Sequence, residues 1–433
     1  MKKYSITSSL LFISLVLAPL SLAFLNFSIF LVGFIGFFIL CLSFRKMQMN
    51  KVFFAVFVIQ CIFLLITYFG YLGKYGKPYY LGGSDDFDFE KMAMMCVENN
   101  VYTFGQASHT DPIMFSDGKT YVLFLSYLMR FSSFFGGYHT ISARLINVLL
   151  LDFIAAIFAC LFPNNKNRLI VFLLIALFPS CIYISIHVFR DVISCFFLAL
   201  LYFLLRIVGS GRLKLSKQLL LILVCVLLSC LAYYNRKINA VYIGLIVGLW
   251  IVNHIGKTEK NRALKCAVLL LLFVVLADFL GYFDVFRNYL DSYSTYIIEN
   301  NSGIASYVFS LPMLPFGFVA RIVYGIFFPS PVTLFQFYGA FADIDVFWKV
   351  LNAFGTLLQI VLFVKFFLKV KYLTDYFIIA IVVFLSIVFT TLGFRHFIYF
   401  YPFFFAAAFS SKQKQTKYSF CSKKMLLIKD SYE

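Results

Sequence analysis

The chain has 433 residues, of which 62% are hydrophobic, 20% aromatic and 13% charged, with a formal net charge of +18 and a mean hydropathy of +0.91. Soluble domains carry about 25% charged residues, so the composition excludes a soluble globular protein and implies an all-α polytopic membrane protein. The basic excess lies in short clusters between apolar runs, a pattern of membrane topology that excludes a nucleic-acid footprint.

A bilayer core needs about 20 apolar residues per helix. Runs of that kind occur at about 6–24, 27–44, 52–72, 141–162, 169–189, 191–207, 218–234, 238–255, 266–284, 346–368, 376–394 and 397–410, which predicts about 12 transmembrane helices. The first run follows Met1-Lys2-Lys3 like a signal peptide. A second run follows within a few residues, so the first is read as an uncleaved span. Pro179 predicts a kink after Phe178, releasing backbone carbonyls into the interior. The stretch 304–328 is broken by Pro312 and Pro315 and carries Arg321, which favours a re-entrant or interfacial segment.

With the N-terminus inside, 24 of the 37 lysines and arginines fall in inner loops and in the tail after Phe409. Both termini are therefore expected to be cytoplasmic. The organisation is one transmembrane domain, 1–410, with two long outward-facing loops at about 73–140 and 285–345, and a basic cytoplasmic tail, 411–433. Ten cysteines lie mostly inside apolar runs, without a disulfide framework or zinc spacing.

The longest polar passage, Tyr79 to Thr120, contains Asp85, Asp86, Asp88 and Glu90 within six residues. Three readings of it stand. It is a helix start running to Glu98, capped by Ser84, with carboxylates in the first turn. It is an oxygen-ligand site for Ca²⁺ or Mg²⁺, although it lacks the EF-hand spacing. Or it is a source of the base that takes a proton from a sugar hydroxyl.

Arginines on the outer side run against the inside bias: Arg130, Arg144, Arg190, Arg236, Arg287, Arg321 and Arg395. Each singly fits a guanidinium snorkelling to lipid phosphate. Together they suit a phosphorylated lipid or a diphosphate leaving group, which the planar fork of arginine binds bidentately. Arg190-Asp191 reads either as a pair capping a helix hairpin or as a phosphate ligand oriented by its neighbour. Arg395-His396 adds a proton acceptor that titrates near neutral pH. Two aspartates fall inside apolar runs: Asp278 close to the outer end of its run, and Asp152 deep enough to need a partner such as Asn147 or a group on another helix.

Gly82-Gly83-Ser84-Asp85-Asp86, Ser142-Ala143-Arg144-Leu145-Ile146-Asn147, Phe178-Pro179 with Ser185 and Arg190-Asp191, and Phe328-Pro329-Ser330-Pro331 together resemble bacterial polytopic enzymes of surface-polysaccharide assembly. They are similar both to Wzy-type O-antigen and capsule polymerases and to GT-C glycosyltransferases that use lipid-linked sugars. The phenylalanine-rich composition and the lack of a large outer domain look more like the polymerase, and Asp85-Asp86 in the first outer loop looks more like the GT-C transferase. The resemblance implies a GT-C-like fold in the bacterial cytoplasmic membrane, acting on undecaprenyl-diphosphate-linked oligosaccharide without a cofactor or metal. A chain-length regulator and a flippase are the implied partners. It further implies that Asp85, Asp86 and His396 serve proton transfer and that Arg144, Arg190, Arg321 and Arg395 hold the diphosphate.

Overall fold

The computed structural model describes residues 6–83, 85–110, 118–210, 213–255, 295, 298–299, 304–312, 316–370, 374–390 and 393–410. Among them the regular structure is helical, without strands. The helices are α1 (Ile6–Ala23), α2 (Phe27–Ser43), α3 (Asn50–Tyr75), α4 (Asp85–Glu98), α5 (Phe104–Thr110), α6 (Lys119–Ser133), α7 (Thr140–Cys160), α8 (Asn165–Leu177), α9 (Pro179–Ser185), α10 (Asp191–Val208), α11 (Leu215–Asn235), α12 (Asn239–Ile255), α13 (Ile304–Ser310), α14 (Phe318–Ile326), α15 (Ile344–Phe367), α16 (Asp375–Thr390) and α17 (Phe397–Phe409).

Eleven of the expected apolar runs coincide with helices. The run 266–284, with Asp278, lies outside the described residues, as do Ser84, Arg287 and the tail 411–433. Among the described residues, six stretches are long and apolar enough to cross a membrane: Asn50–Gly82, Thr140–Cys160, Asp191–Val208, Leu215–Asn235, Phe318–Phe341 and Ile344–Phe367. The bent pair α8 and α9 makes a seventh if it is one span. The chain is a helical membrane protein.

Local chemistry sets several helix ends. Asn26 caps α2 by accepting from the Ser28 N–H at 3.0 Å, and Asn164 caps α8 through the Lys166 N–H at 2.9 Å, the ordinary use of a side-chain oxygen on an orphan amide. His139 does the same for α7 through Nδ1, accepting from the Ile141 N–H at 3.2 Å. Gly76, at φ 69°, closes α3 in the left-handed conformation that glycine adopts without steric cost. Phe178 is extended, as expected before proline, and α8 and α9 meet at a 52° bend.

The chain divides into two compact units. The first comprises Met1–Leu200, Val226–Asn239 and Phe337–Trp348, and the second Leu201–Cys225, Ala240–Gln336 and Lys349–Glu433. In the first unit α7 is the central helix, with 83% of its apolar window buried in protein. Lipid is as apolar as leucine, so helix association here depends on close packing. Glycines on two faces of α2 allow it: a Cβ at Gly33 would lie 2.8 Å from Leu17 of α1, and one at Gly36 would collide with Leu149 of α7. Ser28 and Ser142 add a 3.2 Å hydrogen bond between α2 and α7. On the edge of this unit, Lys74 bridges Asp343 and Asp345, each at 2.6 Å, and Trp348 donates to Thr67 at 3.0 Å.

The second unit is packed by aromatic rings. Phe363 lies 4.7 Å from Phe404, Phe400 4.7 Å from Phe404, and Phe366 4.4 Å from Phe377. Gln359 joins α15 to its neighbours, accepting from the Tyr401 hydroxyl at 2.9 Å and donating to the Ile326 carbonyl at 3.0 Å.

Replacing Gly36 by leucine is expected to force α2 from α7 and destabilise the protein by about 1–3 kcal/mol. A lowered thermal midpoint of the purified protein in detergent checks this, and Gly36→Ala is expected to cost less because the tip of Leu149 can turn aside.

Candidate functional site

The acidic run does start a helix: Asp85, Asp86 and Asp88 occupy the first turn of α4. Asp86 and Glu90 are four residues apart and so share one face. Both are fully buried, whereas Asp85 and Asp88 are exposed. Their partners lie in the segment that leaves α3. Asp86 Oδ2 accepts from the Tyr80 N–H at 2.9 Å, and Glu90 Oε2 accepts from the Tyr79 hydroxyl at 2.6 Å. The Pro78 carbonyl accepts from Arg144 Nη2 on α7. Three ionisable side chains from two helices thus hold three consecutive residues.

Glu90 reaches further. Its Oε1 accepts from the Tyr138 hydroxyl at 2.6 Å and from Thr140 Oγ1 at 2.5 Å, tying α4 to the start of α7 one turn before Arg144. Burial of Tyr138, and then the Glu90 charge, hold its phenol above the ordinary tyrosine range, so it remains a donor. Burial of His139, followed by the Arg144 charge, lowers its imidazole below the usual histidine value and keeps it neutral.

Arg144 is fully buried. Beyond the Pro78 carbonyl, its Nε and Nη1 have no hydrogen-bond partner among the described residues, and its guanidinium lies 5.8 Å from the Tyr68 ring centre. A buried cation with unsatisfied donors is a strong anion ligand, because low local dielectric raises both its attraction and the cost of leaving it bare. Burial raises the Asp86 carboxyl to about 6. The Tyr80 N–H and the Arg144 charge oppose that rise, and the Glu90 charge adds to it.

Arg190 approaches α4 from the neighbouring face. It is half-buried, with its guanidinium 5.4 Å from the Phe89 ring centre. Gly118, at φ 89°, leaves room for this contact, since a Cβ there would stand 3.0 Å from both Arg190 Nη1 and Phe89 Cε1. The turn before α10 is fixed from beneath. Asn235 donates to the Arg190 carbonyl at 3.0 Å and accepts from the Tyr121 N–H at 3.1 Å. Asn147 donates to the His187 and Phe189 carbonyls at 2.8 and 3.2 Å. Asp191 is engaged by Arg236 at 2.6 Å, with both side chains nearly buried.

Asp86, Arg144 and Arg190 therefore gather around α4, with Asp85 exposed on its first turn. Arg321, Arg395 and His396 belong to the second unit. There, Arg321 is buried, donating to the Phe309 carbonyl at 3.4 Å over the Phe309 ring. Arg395 is half-buried and His396 buried in the turn before α17. The sequence places Glu90 only within the acidic run, and gives Tyr79, Tyr138 and Thr140 no role. The four-residue spacing of Asp86 and Glu90 was the available signal. Among the described residues no three histidine, cysteine, aspartate or glutamate side chains converge as metal ligands. No family model, curated protein or solved structure matches the chain.

Arg236→Met alone is expected to destabilise the protein by about 3–5 kcal/mol by stranding the Asp191 carboxylate. Pairing it with Asp191→Leu is expected to recover much of that loss, as read from thermal midpoints of the two variants.

Proposed function

We propose that this chain is a membrane-embedded glycosyltransferase that polymerises undecaprenyl-diphosphate-linked oligosaccharide repeat units into O-antigen or capsular polysaccharide. In this reading it has about twelve spans, a GT-C-like arrangement and both termini in the cytoplasm, and it works on the outer face of the bacterial cytoplasmic membrane. The observation that carries the reading is the buried Arg144 guanidinium, with Nε and Nη1 unsatisfied, next to a helix start that bears carboxylates. Transfer from a diphosphate-linked sugar needs those two things: a cation for the leaving group and an acceptor for a proton.

In the proposed reaction the hydroxyl of an acceptor sugar attacks the anomeric carbon of the donor, and the bond from that carbon to the diphosphate oxygen breaks. The hydroxyl proton passes to the carboxylate pair at the start of α4, where Asp85 is exposed and Asp86 lies behind it. The diphosphate leaves as an anion stabilised by Arg144 and Arg190, an electrostatic contribution of the oxyanion-hole kind. Arg321, Arg395 and His396 are assigned to the same chemistry by the resemblance and are tested separately through Arg395→Lys. A chain-length regulator and a flippase are the expected partners.

A second reading, a GT-C transferase that moves a single sugar, is favoured by one feature. Its base is expected in the first outer loop, where Asp85 and Asp86 open α4. A polysaccharide-precursor transporter is a weaker alternative.

Deleting the gene is expected to leave surface polysaccharide that carries single repeat units. An unchanged ladder of chain lengths refutes the polymerase, and loss of even the first unit selects the single-sugar transferase. Restoring the gene with Arg144→Lys or Arg395→Lys is expected to give short chains, because the charge remains but the fork is lost.

The pH dependence has a definite sign. Asp86 is raised to about 6, so its ionised form, and with it turnover, is expected to be lost as pH falls through about 6. A pH profile of polymerisation by Asp86→Asn should lack that limb.

A further inference from the structure

A second buried polar group lies within the first unit, away from the α4 site, where α8 breaks. Asp152 of α7 and Gln60 of α3 are both fully buried. Gln60 Nε2 donates to Asp152 Oδ1 at 3.1 Å and to the Ala176 carbonyl at 2.9 Å. In a continuous helix the Ala176 carbonyl would accept from the amide four residues on. The break at Phe178 and Pro179 removes that partner, and the Gln60 amide takes its place. The Ala176 carbonyl also fixes which end of the carboxamide is nitrogen, since a flipped amide would set oxygen against oxygen.

Two acceptor atoms are then left over. Asp152 Oδ2 and Gln60 Oε1 are buried and without a hydrogen-bond partner among the described residues. Among those residues no lysine, arginine or histidine pairs with Asp152. The titratable groups that sense its charge are Cys41 of α2 and Cys61 of α3, and neither supplies a cation. A carboxylate with a bare oxygen, bonded to an amide whose own oxygen is also bare, is among the costliest arrangements available inside a membrane helix bundle.

We propose that Asp152 and Gln60 form a proton-binding site, in which one proton on Asp152 Oδ2 is donated to Gln60 Oε1. With that proton the two side chains make the paired hydrogen bonds of a carboxylic acid against a carboxamide. One arm is Gln60 N–H to Asp152 Oδ1, and the other is Asp152 O–H to Gln60 oxygen. The second Gln60 N–H remains on Ala176, so every polar atom of both side chains is satisfied. The site joins α3, α7 and the broken end of α8 through one neutral unit. It is independent of the transferase reading.

The test compares the full-length protein in detergent at neutral pH with Asp152→Asn and Asp152→Ala. Asparagine reproduces both arms, its amide nitrogen replacing the protonated oxygen. Asp152→Asn is therefore expected to melt within about 2 °C of the wild type, whereas Asp152→Ala falls well below that margin. The infrared spectrum of the wild type is expected to contain a protonated-carboxyl stretch that is absent from Asp152→Asn and shifts in heavy water. Sodium is expected to leave the wild-type midpoint unchanged. The proposal is overturned if the two spectra show the same protonated-carboxyl intensity, or if Asp152→Asn falls as far as Asp152→Ala. A sodium-dependent midpoint that Asp152→Asn abolishes also overturns it, by showing an alkali cation between the two oxygens.

Discussion

The hold of Asp86, Glu90 and Arg144 on residues 78–80 is the interaction on which the candidate site depends. A chain leaving a membrane helix must satisfy its backbone groups before it turns. Here Arg144 does that for the Pro78 carbonyl and Asp86 for the Tyr80 amide, while Glu90 holds the side-chain hydroxyl of Tyr79 between them. Buried charges persist only when hydrogen-bonded and paired. Two carboxylates stand against one guanidinium, and the hydroxyls of Tyr79, Tyr138 and Thr140 make up the difference at Glu90. The buried carboxylates accept hydrogen bonds from the protein itself, whereas Arg144 Nε and Nη1 have no partner among the described residues.

That asymmetry alters how the acidic loop is understood. A carboxylate cluster suggests a cation site or a bare base, but the buried half of this cluster also accepts hydrogen bonds from the protein's own donors. Glu90 ties α4 to the start of α7 and Asp86 holds the Tyr80 amide, while the other half, Asp85 and Asp88, is exposed. Arg190 joins the same helix through Phe89, in space provided by Gly118, while Asn235 and Asn147 hold the turn beneath it. Both arginines are thus held by a polar framework built from α4, α7 and the turn before α10.

Much of the helical layout was legible in the sequence because long apolar runs admit few alternatives in lipid. The 52° break between α8 and α9 followed from Phe178 and Pro179, and the start of α4 from its carboxylates. What stayed hidden were pairings across sequence distance. Asp191 invited pairing with adjacent Arg190, yet it is engaged by Arg236, 45 residues away. Asp152 left its partner open between Asn147 and a group on another helix; it meets Gln60 of α3, 92 residues away, while Asn147 holds the turn before α10. Glu90 stood only as one of four carboxylates in the acidic run, because its donors, Tyr138 and Thr140, lie about fifty residues along the chain. Periodicity shows which face a residue occupies, but tertiary packing decides what stands opposite.

The central claim is that Arg144 is held in place to receive a diphosphate. Equilibrium binding of undecaprenyl diphosphate to the full-length protein in lipid nanodiscs, wild type against Arg144→Gln, tests it most directly. The account predicts saturable binding that weakens by about tenfold or more in the variant, a loss of at least about 1.4 kcal/mol, with the two proteins compared at equal folded concentration. Equal affinity in the two proteins would contradict it and leave Arg144 as a structural clamp on Pro78.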